Sequence, residues 1–213
     1  FNRQSPPVVK SEETERNRKN REKRRMTLLT NLKNYQPFNE QEAADVKEMI
    51  YRLETGEELF LRSNLAEHFT ASAWVVNPAR DKALMGYHRI YDFWAWLGGH
   101  ADGDQDLLHV ALKEVAEESE VKANPVTDQI YSVEILTVDG HEKKGKYVPS
   151  HLHLNVTYLL EADDSLPIRP KEDENKAVAW FGLDEALEKS TEPWFVDRIY
   201  SKLNAKLKDY PAK

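Results

Sequence analysis

"GGHADGDQDLLHVALKEVAEESEV", residues 98–121, decides how this chain is read. Two glycines and a short polar loop lead into a segment of helical period. On a helix over 106–121, Leu108, Ala111, Leu112, Val115 and Ser119 follow the i, i+3, i+4, i+7 pattern and predict a buried stripe. Glu114, Glu117 and Glu118 stand at i, i+3 and i+4, so their side chains share another face. Like charges so placed cost a few tenths of a kcal/mol per pair, about 0.2–0.5, even when exposed. A divalent cation turns that repulsion into attraction. Carboxylates in a chain without cysteine suit the hard, oxygen-seeking ions Mg²⁺ and Mn²⁺. Gly98 and Gly99 permit a sharp turn and close approach to a ligand. A loop entering a helix N-terminus also aims N–H groups at an anion. A solvated acidic face is the bland alternative, and on these residues alone both readings stand.

Around this stretch, "FNEQEAADVKEMIYRLE" (38–54) predicts an amphipathic helix. "HFTASAWVVN" (68–77), the turn "PARD" and "KALMGYHRI" (82–90) predict a hairpin. "YDFWAWL" (91–97) reads as an aromatic strand ending at Gly98-Gly99. Further strands are predicted at 129–138, 150–162 and 177–183, the first two joined by the charged loop "DGHEKKGKYVP". Helices are predicted at 183–190 and 194–209. Strands and helices without strict alternation imply an α/β fold with a mixed sheet between helices.

The chain has 213 residues, 40% of them hydrophobic, and no cysteine. That composition builds a packed core and excludes disulfides, Cys–zinc sites and thiol catalysis. No apolar run approaches the roughly 18–20 residues needed to cross a membrane, and a cytoplasmic home fits. The net charge of −7 is uneven: residues 1–25 carry nine Lys/Arg against four Glu, so the remainder is strongly acidic. An acidic body disfavours nucleic-acid binding. Residues 1–25 are expected to be a charged, disordered or fraying helical leader, 26–66 a helical extension, and 67–213 the functional domain.

The order of residues in the opening stretch resembles the signature of the Nudix hydrolase family. Gly99 fits its first position; Glu114, Val115, Glu117, Glu118 and Val121 fit its helix. Gln105 stands where Glu is expected, Lys113 replaces Arg, and Glu120 replaces a second Gly. The resemblance extends from about residue 68 to 185. It implies an α/β/α sandwich and a Mg²⁺-dependent, or Mn²⁺-dependent, pyrophosphohydrolase. The substrate implied is a nucleoside diphosphate linked to another moiety. By the resemblance, Glu114, Glu117 and Glu118 ligate the metal with a backbone carbonyl near Gly98, and Glu117, Glu114 or the loop residue Glu174 serves as base. Lys113 keeps a charge but loses the planar fork of Arg. Glu120 removes a glycine suited to a left-handed helix end, so a different helix end is expected. These departures also admit a non-catalytic nucleotide-binding or regulatory protein on the same fold. An isoprenoid diphosphate isomerase, which shares the fold, would need a cysteine that this chain lacks.

Gly99, His100, Lys113, Arg89, His151 and His153 are candidate substrate contacts, with Tyr87 beside Arg89. His151 and His153 alternate on one strand and share a face. With His141 they could make a zinc site, but no third spacing supports it, and lining a pocket or packing on the sheet is preferred. Trp94 and Trp96 are read as core before base-stacking. Lys143, Lys144 and Lys146 are read as a solvated hairpin tip. A small nucleotide-type substrate is the expected partner; dimerisation is left open.

Overall fold

The computed structural model describes residues 8–56, 58–89, 92–143, 145–171 and 175–212. Helix α1 (Val8–Asn34) is followed by α2 (Glu40–Thr55). Strands β1 (Glu67–Val76) and β2 (Lys82–His88) form the expected hairpin, with Val75 opposite Leu84. Two short strands, β3 (Trp94–Ala95) and β4 (Leu97–His100), lead to α3 (Leu107–Ser119). Then come β5 (Asn124–Pro125), β6 (Ser132–Val138), the small pair β7 (His141–Lys143) and β8 (Lys146–Val148), and the long β9 (His151–Glu161). Strand β10 (Asn175–Gly182), α4 (Leu183–Lys189) and a helical segment ending at Asp209 close the chain.

The two long strands, β1 and β9, run parallel along their whole length, with Glu67 opposite Leu152 and Val76 opposite Glu161. Every other pairing in the main sheet is antiparallel among the described residues. The outer edge of β1 is shared by β4 at one end and β2 at the other, and the outer edge of β9 by β6 and β5. Splitting both edges curls the sheet. It is a mixed α/β sheet with helices on both faces, as expected.

Alternation along β1 explains the two layers. Phe69, Ala71, Ala73 and Val75 join the core shared with α1, α2 and α3, while Trp74 and Val76 join the core under the C-terminal helical segment. Leu28, Leu29 and Leu32 of α1 and Val46, Met49 and Leu53 of α2 are buried in the first core. The expected leader is therefore helical from Val8 onward, with Arg16–Arg24 exposed and Arg25 donating to the carbonyl of Gly56 at 2.7 Å. The charged loop after β6 folds as the hairpin of β7 and β8. Lys146 there is exposed; Lys144 and the side chain of Lys143 lie outside the described residues. No helix among the described residues is long and apolar enough to cross a membrane.

Candidate active site

Gly98 and Gly99 do not end a strand in a turn; they lie inside β4, opposite Ser72 and Ala71 of β1. They are glycines because two surfaces press on them. A Cβ on Gly98 would lie 2.7 Å from Ser72 Cα, and one on Gly99 would lie 2.5 Å from Glu114 Cδ. The carboxylate of Glu114 thus packs directly on the backbone of β4.

Glu118 is held more tightly still. The Gly98 N–H donates to its Oε1 at 2.9 Å, and Asn175 Nδ2 donates to its Oε2 at 2.6 Å. The residue is buried. Asn175 comes from β10, opposite His88, and reaches over Gly86, where a Cβ would lie 3.0 Å from its Nδ2. Neither Asn175 nor Gly86 is legible as a site residue in the sequence, because nothing local ties residue 175 to residue 118.

Glu117 is exposed and lies among lysines. Lys113 Nζ stands 3.4 Å from Glu114 Oε1 and 3.6 Å from Glu117 Oε1, and Lys171 Nζ stands 3.5 Å from Glu117 Oε2. Burial opposes the charged ammonium of Lys113, but Glu114 and Glu117 outweigh it and raise its pKa. One ammonium therefore spans two glutamates, the task that an Arg fork would otherwise perform. Lys171 is a second residue that the sequence did not single out.

Helix α3 departs from expectation in three ways. Its N-terminus is not an anion site: Asp106 caps it, accepting the His109 N–H at 3.1 Å, and Asp104 stands beside it, 2.7 Å from His109 Nδ1. Two carboxylates there repel a phosphate. Its C-terminus does end left-handed, with Glu120 itself at φ +57° and its N–H bonded to Ala116 O. The side chain accepts the strained backbone in place of glycine. The buried stripe is also rotated: Leu107, Val110, Ala111, Val115, Glu118 and Ser119 are buried, while Leu108 and Leu112 are only half-buried. That rotation is what carries Glu118 inward to β4.

Of the remaining candidates, Glu174 lies outside the described residues. Arg89 is exposed just beyond β2. Tyr87 donates from its hydroxyl to the Asp92 carbonyl at 3.0 Å, beneath the ammonium of Lys176. Trp94 packs edge-on against Phe181 and Trp96 against Tyr200, so both serve the core. His100 points away from α3, since successive strand residues face opposite ways and Gly99 faces the helix. It joins His153, with ring centroids 4.9 Å apart, on the other face of the sheet. Gln105 is half-buried in the loop before α3, and its Oε1 has no hydrogen-bond partner among the described residues.

The donor set fits a hard divalent cation. Glutamate oxygens and the Gly98 carbonyl are of the type that Mg²⁺ selects, and a cationic group already sits between Glu114 and Glu117. The three carboxylates do not meet within 4.8 Å among the described residues.

The NUDIX domain family model matches residues 66–203. The chain belongs to the Nudix family, and it is a hydrolase acting on phosphoanhydride bonds; such enzymes typically work with divalent cations on small nucleotide-type substrates. Comparison with curated proteins gives no match. Among solved structures, a NUDIX-family hydrolase from Clostridium perfringens is 18% identical, with 65% of this chain and 97% of that one covered at a TM-score of 0.44. A C. elegans Ap4A hydrolase binary complex is 17% identical, with 67% and 96% covered at 0.44. A NUDIX hydrolase from Nitrosomonas europaea is 15% identical, with 68% and 74% covered at 0.45.

Proposed function

We propose that this chain is a Mg²⁺-dependent pyrophosphohydrolase that cleaves a nucleoside diphosphate linked to another moiety, by attack of water at the glutamate site. The observation that carries the reading is the fixing of α3 to β4: Gly98 N–H on Glu118 and the Glu114 carboxylate on Gly99. Both contacts hold oxygen donors in place before any ligand arrives, which preorganised electrostatic catalysis requires.

Glu114, Glu117 and Glu118, with the Gly98 carbonyl, would hold the ion. Bound there, Mg²⁺ (or Mn²⁺) would supply neutralisation of the charge growing on the diphosphate oxygens and acidify a water. Glu118 is anchored for this role by the Gly98 N–H and the Asn175 amide. Glu117, which is exposed, would take the proton from the attacking water. With an ion held by Glu117, Lys113 and Lys171 beside it would turn to the phosphate oxygens, and Arg89 is a further candidate contact.

The test is phosphate release, after coupling to a phosphatase, from nucleotide sugars, dinucleoside polyphosphates, ADP-ribose and oxidised nucleotides, with and without Mg²⁺. Turnover that requires Mg²⁺ and falls about 10²–10⁴-fold in Glu117→Gln is expected. Turnover indifferent to Mg²⁺, or to Glu117, would sink the reading.

A further inference from the structure

Five of the seven histidines converge on the sheet face opposite α3, outside the glutamate site. His68 lies on β1, His153 opposite it on β9, and His100 two residues along on β4, opposite Thr70. One ring nitrogen of each lies within 4.8 Å of those of the other two, the only such group of three among the described residues. The rings of His151 and His153 are centred 5.0 Å apart, and His141 lies 6.4 Å from His151.

The tautomers follow from backbone carbonyls. His68 Nδ1 is 3.0 Å from Asn64 O, so it carries the proton and Nε2 keeps a lone pair. His68 is 4% exposed, and that Nε2 is buried with no hydrogen-bond partner among the described residues. A buried acceptor left so is costly and asks for a ligand. His151 Nδ1 is 2.8 Å from Pro149 O, so its Nε2 is also a bare acceptor. Facing it at 3.1 Å is His153 Nε2, which must therefore donate, leaving Nδ1 of His153 with its lone pair. A carbonyl behind His68, and a histidine–carbonyl relay behind His153, are the supports that orient metal-binding imidazoles.

We propose that His68, His100 and His153 form a site for a divalent transition-metal ion of the Zn²⁺ class, with His151 orienting His153. Imidazole donors without thiolates or carboxylates select Zn²⁺, Co²⁺ or Ni²⁺ over Mg²⁺. Zn–N bonds of about 2.0–2.1 Å place tetrahedral ligands about 3.3 Å apart, so small side-chain rotations close the group onto an ion. Three protein ligands leave one position open. Burial and the four neighbouring imidazoles push His153 down to about 2, so it is neutral, as a ligand must be, at neutral pH. Burial likewise lowers His68. Of the charged groups, Arg62 and Asp102 act on His68 from outside and pair with each other at 2.7 Å.

Full-length protein stripped with a chelator is titrated with Co²⁺, read by its visible absorption, and then with Zn²⁺, counted by atomic emission. One Co²⁺ per chain with intense tetrahedral-type bands, displaced by Zn²⁺, is expected. Glu117→Gln should leave the bands unchanged, while His100→Gln and His153→Gln should each abolish them. His100 is half-exposed, so its replacement leaves the fold intact for the comparison. Zn²⁺ should also raise the Tm of the wild type and not of the histidine variants. Absence of the bands in wild type, their survival in both histidine variants, or their loss in Glu117→Gln would each overturn the assignment.

Discussion

The carboxylate of Glu114 lies directly on the α-carbon of Gly99, so close that a Cβ there would stand 2.5 Å from Cδ and 2.7 Å from Oε2. The glycine is thus a seat for a carboxylate that the proposed function assigns to the metal ion. In Gly99→Ala the methyl group displaces the end of one side chain and leaves the sheet pairing intact. A shift of about 1 Å at a reacting centre costs up to 10²-fold in rate. Turnover in Gly99→Ala should fall by about that factor with Tm nearly unchanged. Equal loss of Tm and activity would show that the glycine serves only packing.

Glu120 sits at φ +57°, where a side chain costs about 1–2 kcal/mol. Its ion pair with Arg169 is 4.0 Å long and exposed. Glu120→Gly should therefore stabilise the protein by about 1 kcal/mol, after the extra chain entropy of glycine is subtracted. Denaturant unfolding measures it directly. Destabilisation would mean that the Glu120 side chain does more than tolerate the turn.

The spacing of the three glutamates was legible because helix geometry converts i, i+3, i+4 into adjacency without help from the rest of the fold. The Nudix resemblance, carried by Gly99, Glu114, Glu117 and Glu118, located the family. What stayed hidden depends on contacts between distant segments. Asn175 reaches Glu118 across 57 positions, and His68, His100 and His153 come from three strands. His141 was grouped with His151 and His153 in the zinc alternative because it is near in sequence, whereas strand pairing delivers His68 and His100. Gly98-Gly99 looked like a turn because glycine prefers turns; the tight approach of β1 and of Glu114 put both residues in a strand instead. Glycine is the residue expected at an αL helix end, yet Glu120 adopts that conformation.

Lys113 neutralises Glu114 and Glu117 together. On the proposed function it would compete with a divalent ion for the same oxygens. Removing one charge about 5 Å from a doubly charged ion in a water-like medium is worth about 1–2 kcal/mol before salt screening. Lys113→Met should thus tighten Mg²⁺ binding roughly three- to tenfold by calorimetry. It should also slow turnover if the ammonium turns to phosphate oxygens. Weaker Mg²⁺ binding would instead make Lys113 a device that positions Glu117.

A buried polar network ties α2 and β6 to the C-terminal helical segment, and its centre is Glu42. Lys202 Nζ lies 3.2 Å from Glu42 Oε1 and 3.0 Å from Glu134 Oε1, and Lys206 Nζ donates to Glu42 Oε1 at 3.0 Å. The Tyr35 hydroxyl and the Phe38 N–H donate to Glu42 Oε2 at 2.8 and 2.7 Å. Burial alone would raise the carboxyl, but Lys202 and Lys206 outweigh it and hold Glu42 below the usual carboxylate range. A depressed folded-state pKa contributes stability above the unfolded value of 4.5, lost as pH falls through the folded value. Glu42→Gln should therefore cost about 3–5 kcal/mol at pH 7, because it strands buried ammonium groups. The cost should shrink as pH falls below 4.5, where first the unfolded carboxyl and then the folded one takes up a proton. Unfolding curves of both proteins from pH 7 down to pH 3 measure it; a difference constant with pH would mean that Glu42 acts by shape and not by charge.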